Sequence, residues 1–225
     1  MTFLSDIFPP GTQDVFVEAI GQTVYLVGFT MIIGGVLGLA YGTLLYATRP
    51  GNLLANRAVF SVLNVLVNII RPIPFIIFIT AIAPITKAVI GTRIGPEAAA
   101  FAMTVMATFV IGRVVEQNLV SVDPGVVEAA RAMGASRLRT LATVVIPEGF
   151  APLTLGYTFM FVAVVDMSAM AGYVGGGGLG DFARQYGYQQ SNWQLTVVVI
   201  VVLIIVVQIV QFFGNRLSRR LQHRG

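Results

Sequence analysis

Apolar residues run along this chain in five long stretches separated by shorter polar ones, covering about residues 23–47, 58–90, 98–115, 150–174 and 193–213. A helix needs roughly 20 mostly apolar residues to cross a bilayer. The pattern therefore predicts five transmembrane helices in an all-α, polytopic membrane protein, with residues 1–225 forming a single transmembrane domain. The third stretch is short for a crossing. The second is too long for a plain perpendicular one, and its "RPIP" at 71–74 is expected to kink or break it. Each proline removes a backbone donor and disfavours helix just before it. No separate soluble domain and no tandem repeat is visible.

One polar segment stands apart from this pattern. "VEAARAMGASRLRTLATVVIPE", residues 127–148, sets Glu128, Arg131, Arg137 and Arg139 among small residues. The chemistry of residues 123–147 predicts two short helices. Asp123 suits an N-cap and Pro124 the first helical position, where its missing N–H costs nothing. Gly134 suits the left-handed position that ends a helix. Ser136 can cap a second helix, expected to stop at Pro147. Val126, Ala130 and Met133 fall on one stripe at helical spacing, with Glu128 and Arg131 displaced from it. Such a small apolar stripe bordered by charge suits either a groove on a partner protein or the surface of the lipid.

Composition strengthens the membrane reading. The chain is 56% hydrophobic and 11% charged, with a mean hydropathy of +0.83, whereas soluble domains carry about 25% charged residues. It has no cysteine and one histidine, His223, which excludes disulfides and Cys- or His-cluster metal sites. The basic pI of about 9.8 reflects arginines at loop ends, which points to membrane orientation rather than nucleic acid. With the N-terminus outside, the inner segments hold ten arginines: Arg49, Arg57, Arg113, Arg131, Arg137, Arg139, Arg216, Arg219, Arg220 and Arg224. The outer segments hold Lys87, Arg93 and Arg184, with Arg71 inside the second span. The sequence thus predicts N-out, C-in, and puts the 123–147 loop in the cytoplasm. Tyr186, Tyr188 and Trp193 then fall at an interface, where amphipathic rings collect. The opening stretch, broken by Pro9, Pro10 and Gly11, lacks the basic flank and apolar run of a signal peptide.

Other features carry candidate chemistry. Gly34, Gly38 and Gly42 recur every four residues, a ridge that lets helices approach closely in lipid. "VGGGGLG", 174–180, lacks the Lys-Ser/Thr ending of a nucleotide-binding loop and is expected to form a tight outer turn. Asp166 lies within "FMFVAVVDMSAMAG", where a charge costs about 2.5–3.5 kcal/mol at the bilayer centre. It either lines a path and meets a substrate ammonium group, or pairs with Arg71 or Arg113, or is a protonated acid between helices. Ser168 and Met170 on the same helix are candidate path-lining residues, with ordinary packing the alternative. Arg71 is expected to bond carbonyls freed beside the prolines. No cluster of acid, base and nucleophile suggests an enzyme.

"EAARAMG" followed by "VVIP" resembles the EAA loop of ABC importer permeases, with Glu128, Ala129, Ala130, Gly134, Val144, Ile146 and Pro147 on the motif positions. "LLYATRPG", "RPIPFIIF" and "SAMAGYVGGGGLGDFARQYGY" are similar to the methionine-importer branch of that family. The resemblance implies a coupling helix at the EAA loop, with Glu128, Ala129, Ala130, Arg131, Met133, Gly134 and Pro147 serving ATPase coupling. It further implies a homodimer, two ATPase subunits holding ATP and Mg2+, an extracytoplasmic substrate-binding protein, and a place in the bacterial inner membrane among lipids. The competing expectation is an ion-coupled carrier with Asp166 as proton relay.

Overall fold

The computed structural model describes residues 8–222; the first seven residues and His223, Arg224 and Gly225 lie outside that range. The described secondary structure is helical throughout. Helix α1 (Thr12–Phe29) continues through a π-helical turn, Thr30–Gly34, into α2 (Gly35–Thr48), giving a run of 37 residues. That is about 55 Å at the α-helical rise. The predicted first span started at residue 23 because Gln13, Asp14, Glu18 and Gln22 dilute the hydropathy upstream. The helix forms there anyway, since Phe16, Ala19 and Ile20 have an apolar cluster to pack against.

The second apolar stretch is broken as expected. Helix α3 (Arg57–Ile70), capped by Asn56, meets α4 (Phe75–Ala81) at a bend of 108°, and α5 (Ala83–Ile90) follows. Pro74 sits just ahead of α4, and its carbonyl accepts the Phe78 N–H at 3.0 Å. Arg71 does not serve as expected: its side chain is exposed and bonds no described residue, so the α3 end is closed by backbone, Arg71 N–H to Val67 O at 3.0 Å.

Helix α6 (Pro96–Val120) runs five residues beyond the predicted third span. Downstream lie α7 (Pro124–Ala132), α8 (Arg137–Thr140), a π turn (Leu141–Val145), α9 (Ile146–Glu148) and α10 (Phe150–Tyr173). After these come α11 (Gly178–Phe182), a π turn (Ala183–Tyr188) and α12 (Trp193–Gln222). Four helical runs are long and apolar enough to cross a membrane, and the bent pair α3–α4 makes a fifth. The most apolar window of α12 has mean hydropathy 3.0 and is only 11% buried. Ile204, Ile205, Ile209, Phe212 and Phe213 stand exposed along it, a patch that water would not tolerate.

The chain sorts into two compact units, each drawn from three separate stretches. In the first (Met1–Ile33, Ile73–Met106, Phe161–Ile209), Phe8, Ala19, Leu179, Phe182, Leu195 and Val199 form a core. Ring contacts Phe8–Phe16, Phe16–Phe182 and Phe182–Tyr186, at 5.3, 5.1 and 4.9 Å, extend it. In the second (Gly34–Pro72, Ala107–Met160, Val210–Gly225), the predicted glycine ridge lets α2 meet α6. A Cβ on Gly38 would lie 2.7 Å from Ile111, and one on Gly42 would lie 2.3 Å from the Gly112 carbonyl oxygen. The Tyr41 hydroxyl donates to Leu63 O at 2.6 Å, and that of Tyr157 to Gly35 O at 2.7 Å.

Candidate functional site

The polar segment between α6 and α10 is built by its own capping chemistry. Asp123 Oδ1 accepts the Gly125 N–H at 2.8 Å, and Pro124 opens α7. Gly134 has φ +87°, and beyond α7 its N–H donates to Arg131 O at 3.0 Å while the Ala135 N–H donates to Ala130 O at 3.2 Å. This is a Schellman ending, which needs a left-handed residue at that position. Ser136 Oγ then accepts the Arg139 N–H at 3.3 Å and starts α8.

The second helix does not stop at Pro147. It widens into the π turn, and Pro147 falls in the first turn of α9, leading through Gly149 towards α10. A π turn shifts the hydrogen-bond register, which lets the helical path absorb a residue without an N–H.

The predicted stripe on α7 is split. Ala130 is buried, whereas Val126 and Met133 are exposed, Met133 at 83%. Ala129 and Gly134 are also exposed, as is Pro147 further on. Glu128 and Arg131, both exposed, line a cavity of about 430 Å³ together with Pro124, Val127 and the Arg49–Leu53 loop. Neither forms an ion pair with a described residue.

A charged cluster next to this cavity escaped sequence reasoning. Glu116 on α6 is 3% exposed. Its Oε2 accepts from Arg113 Nη1 at 2.7 Å, and its Oε1 lies 3.8 Å from Arg49 Nη1. Arg113 Nη1 also donates to Asn64 Oδ1 of α3 at 3.1 Å. The available signal was an arginine and a glutamate three apart in a helical run that is otherwise mostly apolar, a spacing that puts them on one face.

Asp166 lies on an exposed face of α10 with Phe159, Met170 and Tyr173, spaced three, four or seven residues apart. It forms no ion pair or hydrogen bond with any described residue; the suggested partner Arg113 is engaged by Glu116 and Asn64. Ser168 lies elsewhere on the helix, 3% exposed, with its hydroxyl donating to Val165 O at 2.7 Å.

The glycine turn is also more specific than its sequence suggested. Gly175, Gly177 and Gly178 have φ of +86°, +74° and +77°. The N–H groups that open α11 are capped from α1: Gly178 N–H donates to Gln22 Oε1 at 2.7 Å and Leu179 N–H to Thr23 Oγ1 at 2.8 Å.

Residues 34–223 match the family described as binding-protein-dependent transport system inner membrane component. The chain is 40% identical over 212 residues to the probable D-methionine transport system permease protein MetI of Vibrio cholerae, covering 94% of each. It is 39% identical over 181 residues to the methionine import system permease protein MetP of Bacillus subtilis, covering 80% of this chain and 82% of that protein. Its fold resembles a chain of the MetNI methionine ABC transporter in inward-facing conformations. The TM-score is 0.91 at 37% identity, over 95% of this chain and 99% of that one.

Proposed function

The chain belongs to the family of binding-protein-dependent transport system inner membrane components, and on that premise we propose that it is the permease that carries methionine, or a closely related amino acid, into the cytoplasm. It is a multi-pass inner-membrane subunit of an ABC transporter and not itself an enzyme; ATP is hydrolysed by a separate subunit. In this reading residues 1–225 act as one permease domain oriented N-out, C-in. Two copies form the pathway, two ATPase subunits bearing ATP and Mg2+ dock on α7, and an extracytoplasmic binding protein delivers substrate.

Coupling rests on Glu128, Ala129, Ala130, Arg131, Met133, Gly134 and Pro147. ATP-driven closure of the ATPases draws the α7 helices together, and the spans respond by alternating access. The observation that carries this is a short helix, capped at both ends by its own side chains and turn, that presents Met133 outward from a polar segment between apolar spans. A helix so presented is suited to insertion in a groove. Ala130 anchors it and Val126 and Met133 meet the partner. On α10, Asp166 and Met170 face the translocation path, whereas Ser168, expected there from sequence, is buried with its hydroxyl bonded to Val165 O. The ion-coupled carrier has no support among the relatives.

Because the chain has no cysteine, Met133→Cys gives a single labelling point. The expected result is thiol cross-linking of this variant to the ATPase subunit, with Val17→Cys, exposed on α1, as the negative control. Equal cross-linking from both, or from neither, would remove α7 as the docking helix.

A further inference from the structure

The Glu116 cluster is not used by the coupling reading, and its composition is odd for a purely structural feature. Removing a carboxylate from water costs several kcal/mol, and well-packed apolar residues are often as stabilising as a buried ion pair. Packing alone therefore gives no reason for Glu116 to be there. What the carboxylate does provide is a link between three segments. Arg113 stands one turn back on α6, Arg49 directly follows the end of α2, and Asn64 of α3 is reached through Arg113. Glu116 lies four residues before the end of α6 and seven before the Asp123 cap of α7.

The two arginines are held differently. The contact to Arg113 is a charge-assisted hydrogen bond at 2.7 Å, short enough to be strong. The contact to Arg49 is 3.8 Å, beyond hydrogen-bond distance, and the Arg49 side chain is 45% exposed. The cluster also carries two positive charges against one negative. Arg49 is thus only half committed, and it lines the same cavity as Glu128 of α7.

We infer that Glu116 is a positioning residue of the transport cycle: its fixed pair with Arg113 and releasable contact with Arg49 pass the movement of α7 to the end of α2 and the middle of α3. This rests on the coupling role of α7. When α7 closes on the Arg49–Leu53 loop, the cavity shrinks and Arg49 exchanges Glu116 for Glu128. Retreat of α7 returns it.

The test compares Glu116→Gln and Arg49→Gln in the complex of this permease with its ATPase and binding protein, reconstituted in liposomes. Co-purification of the ATPase, basal ATP hydrolysis and substrate taken up per ATP hydrolysed are read separately. Both variants are expected to keep the first two. Uptake per ATP is expected to fall about tenfold in Glu116→Gln, the size set by one charge-assisted hydrogen bond, and by a smaller factor in Arg49→Gln. Glu116→Asp, which keeps the charge facing both arginines, is expected to recover part of the coupling ratio lost in Glu116→Gln. A wild-type ratio in both single variants overturns the inference while leaving the docking reading intact. If Glu116→Gln does not assemble, Arg49→Gln decides alone, since its side chain is half exposed. Loss of ATPase co-purification in Met133 and Gly134 variants concerns docking and is read independently.

Discussion

Gly134 offers a substitution whose effect can be worked out before it is made. Its φ of +87° is left-handed, and a Cβ added there would find nothing within 4 Å. Steric conflict with neighbours is absent, so only the residue's own backbone preference changes. For an L-residue the left-handed conformation costs about 1–2 kcal/mol, and more for a β-branched one. Asn is tolerated there better than Ala. If the undocked loop relaxes and the docked one needs the turn, that cost appears in binding. At 1.4 kcal/mol per decade, about 1–2 kcal/mol weakens ATPase association about five- to thirtyfold. The expected order of affinity is Gly134, then Gly134→Asn, Gly134→Ala and Gly134→Val, measured by titrating the ATPase onto the permease in nanodiscs. Equal affinity for Gly134 and Gly134→Val would refute the reasoning, because the turn would then be irrelevant to docking.

Three further outcomes follow from packing and charge. Gly42→Ala puts a methyl against the Gly112 carbonyl at 2.3 Å, and overpacking of this kind costs about 1–3 kcal/mol. Its thermal midpoint in detergent should fall clearly, whereas Gly21→Ala, with open space around it, should leave it unchanged or slightly raised. Thr23→Ala removes the acceptor for the Leu179 N–H and should cost about 1–3 kcal/mol for a buried donor left unpaired. It should also speed amide exchange at the start of α11. Asp166→Asn should assemble normally, since no described residue depends on the carboxylate, and should lose substrate uptake; failed assembly would place Asp166 in a structural pair instead.

The spans were legible because a bilayer leaves the backbone little choice. Their ends were less so. Hydropathy closed the third span before Glu116, yet α6 continues, since Arg113 holds that carboxylate with Arg49 3.8 Å away, and only Arg113 is near it in sequence. In the same way the caps of α11 come from Gln22 and Thr23, 156 residues away. The coupling segment was legible where its chemistry is local: Asp123, Gly134 and Ser136 act within three residues of themselves. Its outward face was not, because the burial of Ala130 depends on what lies behind it. Pro147 misled for a related reason. A proline signals a stop only if the helix cannot change its hydrogen-bond register, and here a π turn does that.

The measurement closest to the central claim is uptake of labelled methionine by liposomes containing this permease, its ATPase and its binding protein, with ATP supplied and all ion gradients collapsed. Accumulation of methionine against its concentration is the expected result. Uptake that requires a proton gradient and proceeds without ATP would contradict the account.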